Sequence, residues 1–184
     1  MGRKSKRRER RQQLIDALGR VLAKRGSAEV SIAQVAHEAD VAPALVHHNF
    51  ENKRELFESL FDQELARLDA QAAQARKSES PLMAYADAML SLEKRADTQS
   101  ARVWVRLFAE ALKDSRLEAK LKRALDREIM RVQRLSNERL NTEQASALVA
   151  FVIGALVFGA FAPKRTRGFA ATQMKVFIKS LDAR

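Results

Sequence analysis

The 184-residue chain contains no cysteine, which excludes disulfides, zinc–thiolate sites and thiol nucleophiles. Only six glycines and three prolines interrupt it, and tryptophan and tyrosine occur once each. With so few breakers, the abundant Ala, Leu, Arg, Lys, Glu and Gln give the composition a helical cast, and no alternating strand pattern or internal repeat stands out. There is no Gly-rich phosphate loop and no nucleophile beside a base at a recognisable spacing, so an enzyme is not expected and no cofactor is implied. The opening MGRKSKRRERRQQ has no apolar signal core and no small-residue cleavage site; the expected compartment is the cytoplasm.

What the chain has in excess is positive charge, +11 overall. Residues 1–25 hold Arg3, Lys4, Lys6, Arg7, Arg8, Arg10, Arg11, Arg20, Lys24 and Arg25 against Glu9 and Asp16, a local net of +8. A basic arm beside a folded module suits a polyanion, because each neutralised phosphate releases a condensed counterion. A solvated tail is the plainer alternative.

Periodicity divides the chain into about nine helices. Leu14, Leu18, Val21 and Leu22 share one face of a helix from about Lys6 to Arg25, stopped by Gly26. Ser31 followed by Gln34 makes an S-x-x-Q capping box for a short helix, Ile32 to Ala39. Asp40 and Val41 form a tight connection, and Pro43 suits the first turn of a third helix, PALVHHNF. Asn52 with Glu55 repeats the capping logic for a fourth helix, with the stripe Leu56, Leu60, Phe61, Leu65 and Leu68, to about Ala75. RKSESP marks a polar break. Helix five follows on Leu82, Ala86, Met89 and Leu90, helix six on Val103, Leu107, Ala111 and Leu112, and helix seven on Leu117 through Leu135. Near the end, Met174, Phe177, Ile178 and Leu181 fall at i, i+3, i+4 and i+7 of a last helix.

The run Ala145 to Ala162 is apolar on every side. Eighteen residues span roughly 27 Å, just short of a comfortable membrane crossing. Its start is polar, no Trp or Tyr flanks it, and eight of its eighteen residues are Ala or Gly, so no membrane partner is expected. The preferred reading is a helix buried on two sides, by its own core and by a second copy of the chain, with Ala150, Gly154, Ala155 and Gly159 permitting close approach. Ala150, Gly154, Phe158, Met174, Phe177, Ile178 and Leu181 are the candidate homodimer contacts, in a four-helix interface with the last helix.

Helices two and three, short and tightly joined, form a helix-turn-helix: the first braces across the backbone while the second offers its N-terminal end to the major groove. The exposed positions of the second are then Ala42, Pro43, Ala44, His47 and His48. On these residues, SIAQVAHEADVAPALVHHNFENKREL resembles the DNA-binding signature of the tetracycline-repressor (TetR) family of bacterial transcriptional regulators. The resemblance is specific over about residues 8–68 and thereafter rests on helix layout. It implies an all-α homodimer: a basic arm and helix-turn-helix DNA-binding domain over 1–50, and a helical effector-binding and dimerisation domain over 51–184. It also implies a repressor whose palindromic double-stranded operator is released by a small-molecule effector.

Carried over by position, the resemblance puts Ser31 near a phosphate as the cap of helix two, Ala42, Pro43 and Ala44 against bases, and Lys53 on a phosphate. His47 replaces a backbone-contacting tyrosine, His48 and Asn49 follow in the variable part, and Arg7 and Arg8 of the arm join the DNA-binding set. Asp40 stands where glycine is usual, at a cost on the order of 1 kcal/mol for a left-handed turn unless its side chain bonds locally. Ala42, Pro43 and Ala44 carry no strong donors, so specificity would lean on His47, His48, thymine-methyl contacts and DNA shape read by the arm, without an Arg-to-guanine contact from helix three. The charge of the histidines near neutral pH is a candidate means of tuning affinity.

A metal reading for His37, His47 and His48 fails on geometry, because neighbouring residues diverge by about 100° around a helix and a site needs three or four converging ligands. For the effector cavity, expected among helices four to eight, Met83, Tyr85, Met89, Trp104, Phe108 and Met130 are the candidate lining residues, against ordinary core packing as the alternative. A non-specific nucleic-acid-binding helical dimer without an effector is the second reading of the whole chain.

Overall fold

The computed structural model describes residues 2–24, 30–90 and 95–182, with side chains at 2–4, 95–97 and 181–182 left aside. The described residues are all helix and connection: α1 Gly2–Lys24, α2 Ile32–Glu38, α3 Pro43–Asn49, α4 Lys53–Ala75, α5 Pro81–Leu90, α6 Arg95–Ala111, α7 Ser115–Leu135, α8 Thr142–Phe161 and α9 Pro163–Asp182. The chain falls into two compact units, Met1–Glu64 and Leu65–Arg184, and α4 contributes to both.

In the first unit, Leu14, Leu18, Val21 and Leu22 of α1 are buried with Val35, Ala36, Val46 and Phe50 and with Leu56, Leu60 and Phe61 of α4. The capping box at Ser31 forms as the sequence predicts: its Oγ accepts from the Gln34 N–H at 3.3 Å, and Gln34 Oε1 accepts from the Ser31 N–H at 3.1 Å. At α4 the second box is shifted. Asn52 Oδ1 accepts from the Glu55 N–H at 3.0 Å, but the Glu55 carboxylate takes the N–H of Glu51 at 2.7 Å instead of that of Asn52.

The connection between α2 and α3 turns on Asp40, whose φ is 53°. Its N–H donates to His37 O at 3.1 Å and the Val41 N–H donates to Ala36 O at 3.0 Å. This pair of bonds is a Schellman closure with Asp40 in the left-handed position that glycine fills at least cost. Among the described residues, the Asp40 side chain has no hydrogen bond to offset that cost.

In the second unit, Asp114 caps α7 by accepting from the N–H groups of Arg116 and Leu117, and Asn141 with Gln144 forms a reciprocal capping box at α8. Helix α8 packs against α5, α6, α7 and α9. A core cluster of this unit joins Tyr85, Leu90, Val132, Leu148, Met174 and Ile178. By length and composition α8 passes for a membrane span, and 39% of its most apolar window is buried inside the protein. Leu112, expected on the apolar stripe of α6, lies past the helix end and is 85% exposed.

Candidate nucleic-acid interface and ligand cavity

The row along α3 faces outward. Ala42, Pro43, Ala44, His47 and His48 are exposed while Val46 and Phe50 anchor the helix from beneath. Ser31 at the start of α2 is exposed too, as are Arg7 and Arg8 on α1. Lys53 is half-buried, its ammonium 5.6 Å from the Phe57 ring centroid. Asn49 departs from the expected set of DNA contacts: it is 3% exposed, and its Nδ2 donates to Leu45 O at 2.8 Å. One residue beyond His48, the helix has rotated the side chain by about 100° into the protein.

The basic arm also differs from its sequence reading. It is helical from Gly2 onward, and a helix about 10–12 Å across does not lie in a minor groove about 6 Å wide. A helical arm of this width is therefore not suited to reading minor-groove shape. Some of its cations also pair with carboxylates of the protein. Glu38 takes Arg20 Nε at 2.9 Å and Lys24 Nζ at 2.9 Å, and the bond from Lys24, with Arg20 behind it, holds this carboxyl below its usual range. Arg11 pairs with Glu55 at 2.9 Å. The Glu51 N–H first, and Arg11 after it, likewise lower the Glu55 carboxyl.

A cavity of about 60 Å³ lies wholly in the second unit. Of the six expected lining residues, Tyr85, Met89, Trp104 and Phe108 meet there, with the Trp104 and Phe108 ring centroids 5.7 Å apart. Met83 packs instead against the surrounding core, and Met130 is 45% exposed on the far side of α7. The sequence reading missed Glu128, the one charged residue among the described lining. Its signal was available: Leu121, Leu125, Glu128 and Val132 share one face of α7, so Glu128 is a lone acid on an apolar stripe. Tyr85 Oη donates to Glu128 Oε1 at 2.5 Å, and Arg131 Nη1 sits 2.9 Å from Glu128 Oε2 while its Nη2 bonds Asp69 of α4. Burial first, then the Glu128 charge, push the Tyr85 hydroxyl well above its ordinary pKa.

On α8 and α9, an apolar surface faces away from the core. Ala150, Gly154 and Phe158 are exposed, and a Cβ added at Gly154 would meet nothing within 4 Å. Phe158 stacks edge-on against Phe169, with centroids 6.5 Å apart. Phe177 is exposed, and Val157, Phe161 and Val176, absent from the sequence reading, extend the surface. Met174 and Ile178 do not belong to it: they are 0% and 2% exposed in the core of the chain itself. The Leu181 side chain lies outside the described residues.

A short outward-facing helix held across a tight turn from a capped partner, beside a basic helix, defines a helix-turn-helix DNA-binding protein of the transcription-regulator class. Residues 14–60 match the family profile "Bacterial regulatory proteins, tetR family". Over 157 residues the chain is 31% identical to the HTH-type transcriptional regulator BetI of Brucella anthropi, covering 83% of this chain and 79% of that protein. The chain belongs to the TetR family of bacterial transcriptional regulators. Its fold is similar to that of a transcriptional regulator from Rhodococcus sp. Rha1, with a TM-score of 0.82 at 20% identity over 93% of this chain and 95% of that one. It is similar also to a transcriptional regulator of Saccharomonospora viridis solved in complex with choline, with a TM-score of 0.78 at 18% identity over 93% of this chain and 96% of that one.

Proposed function

We propose that the protein is a homodimeric repressor that binds a palindromic operator and leaves it when a small molecule enters the cavity of the second unit. The observation that carries the reading is the exposed row Ala42, Pro43, Ala44, His47 and His48 on a helix anchored by Val46 and Phe50. In the complex, the alanines meet thymine methyls, His48 reaches a base edge, and His47, Ser31, Lys53, Arg7 and Arg8 hold phosphates. Two copies joined through the exposed apolar face of α8 and α9 place two such rows on successive major grooves, about 34–36 Å apart. The cytoplasm is the setting in which such a repressor meets its operator.

The effector class follows from the lining. Glu128 beside Tyr85, Trp104 and Phe108 supplies one negative charge among aromatic faces, which suits a small organic cation. The choline bound to the Saccharomonospora viridis protein supports the same class. The present space of about 60 Å³ is well below a typical ligand site, so the cavity opens to admit its ligand. A cation on Glu128 competes with Arg131, whose other partner, Asp69, is on the helix that begins at Lys53. Effector binding is thereby linked to α4, and the ligand acts by favouring the dimer state that fits DNA less well.

Footprinting of the promoter of its own gene, with and without choline as a probe cation, tests the reading. A discrete palindromic footprint that fades with ligand is expected; diffuse protection of all DNA would mark a non-specific binder instead.

A further inference from the structure

Each cation near the N-terminus invites assignment to a phosphate, but Arg11 is committed elsewhere. Its Nη1 donates to the main-chain carbonyl of Asn49, the last residue of α3. Its Nη2 donates to Glu55 Oε1 at 2.9 Å, and its guanidinium carbon lies 4.1 Å from the Phe50 ring centroid. The other Glu55 oxygen accepts the Glu51 N–H at 2.7 Å, closing the link between α3 and α4. Two residues along α1, Gln13 Nε2 donates to Ala39 O at 2.7 Å, at the C-cap of α2. Through these two residues α1 thus tethers the C-terminal ends of both helices of the helix-turn-helix.

The chemistry explains why an arginine is needed. The last carbonyls of a helix have no intrahelical donor, and a cation there also complements the helix dipole. Binding a carbonyl and a carboxylate at once while lying over an aromatic ring takes a planar fork, which a lysine ammonium does not have. The recognition helix is only two turns long, so its orientation depends on how its ends are held.

We propose that Arg11 is a positioning residue: it fixes the angle at which the row from Ala42 to His48 meets the groove, and it is not a phosphate ligand. The proposal rests on the DNA-binding reading above. Two kinds of cation are therefore mixed in the arm, and their variants separate by salt dependence.

The test measures binding to the footprinted operator and to a scrambled duplex of equal length across a salt series, for wild type, Arg11→Lys, Glu55→Gln, the double variant and Arg8→Ala. Arg11→Lys keeps the charge. It is expected to weaken operator binding roughly tenfold, on the scale of a lost base-pair recognition, with affinity for the scrambled duplex and the salt slope unchanged. Glu55→Gln gives the same loss, and the double variant adds little to either. Arg8→Ala weakens both duplexes together and reduces the log–log slope by about 0.9. Phe50→Leu, which removes the stacking surface but keeps the core filled, is expected to share the selective loss, and it serves if Arg11→Lys melts below the assay temperature. Arg11→Lys binding both duplexes like wild type would overturn the proposal. So would Arg11→Ala, measured in the same salt series, lowering the slope by about one phosphate with equal loss on both duplexes. A wild-type protein that shows a salt slope but no operator preference removes the sequence-specific reading, and this proposal falls with it.

Discussion

Asp40 shows how one residue can be read from the sequence in kind and still need the structure for its detail. The tight turn was legible from the spacing, and the φ of 53° with its two closing bonds identifies the left-handed position. Asp40→Gly is expected to raise stability by about 0.5 kcal/mol, the left-handed penalty of roughly 1 kcal/mol less the freedom glycine returns to the unfolded chain. A higher urea midpoint at an unchanged slope would show it. Asn49 was not legible, because a polar residue after two exposed histidines looks like part of the same surface until its bond to Leu45 O is seen. The carboxyl of Glu55 also gains its meaning from contacts distant in sequence. Its pKa is lowered on folding, so the stability it provides is present above the ordinary carboxylate range and is lost as pH falls through the lowered value. Melting temperatures measured below about pH 5 should fall less steeply for Glu55→Gln than for wild type; equal slopes would count against this linkage.

Among the elements, helix existence followed from periodicity, but which neighbour a helix face meets did not. In α9 the apolar stripe was correct, yet Met174 and Ile178 face the core of the chain itself while Phe177 and Val176, one step around, are exposed. Periodicity identifies an apolar face and is silent on whether that face meets the same chain or another copy. Met174→Ala is accordingly expected to cost about 2–5 kcal/mol of fold stability, as for other buried methionines. Phe158→Glu should instead leave each protomer folded and shift dimer to monomer in sedimentation. A variant that stays dimeric would place the interface elsewhere. In α1, Gly19 has an ordinary backbone, and an added Cβ would sit 3.6 Å from Leu60 Cδ1, a normal contact. Gly19→Ala should therefore stabilise the first unit by about 0.5–1 kcal/mol, read as a raised melting temperature.

At the scale of the whole molecule, the DNA-binding signature was legible because turn chemistry and capping are local, whereas the cavity assembles residues from α4, α5, α6, α7 and α8. Four aromatic or methionine positions were found from the sequence, and the charged one was not, because Glu128 gains its role only from Tyr85 and Arg131 across helices. Glu128→Gln should abolish the response to a cationic effector while sparing operator affinity; calorimetry with choline that is unchanged by the substitution would refute the assignment. The helical arm carries a thermodynamic consequence. Because α1 is ordered from Gly2 to Lys24 before any DNA arrives, association does not have to fold it. The heat-capacity change on operator binding should then reflect interface burial alone, without the large negative contribution of a segment that folds on contact.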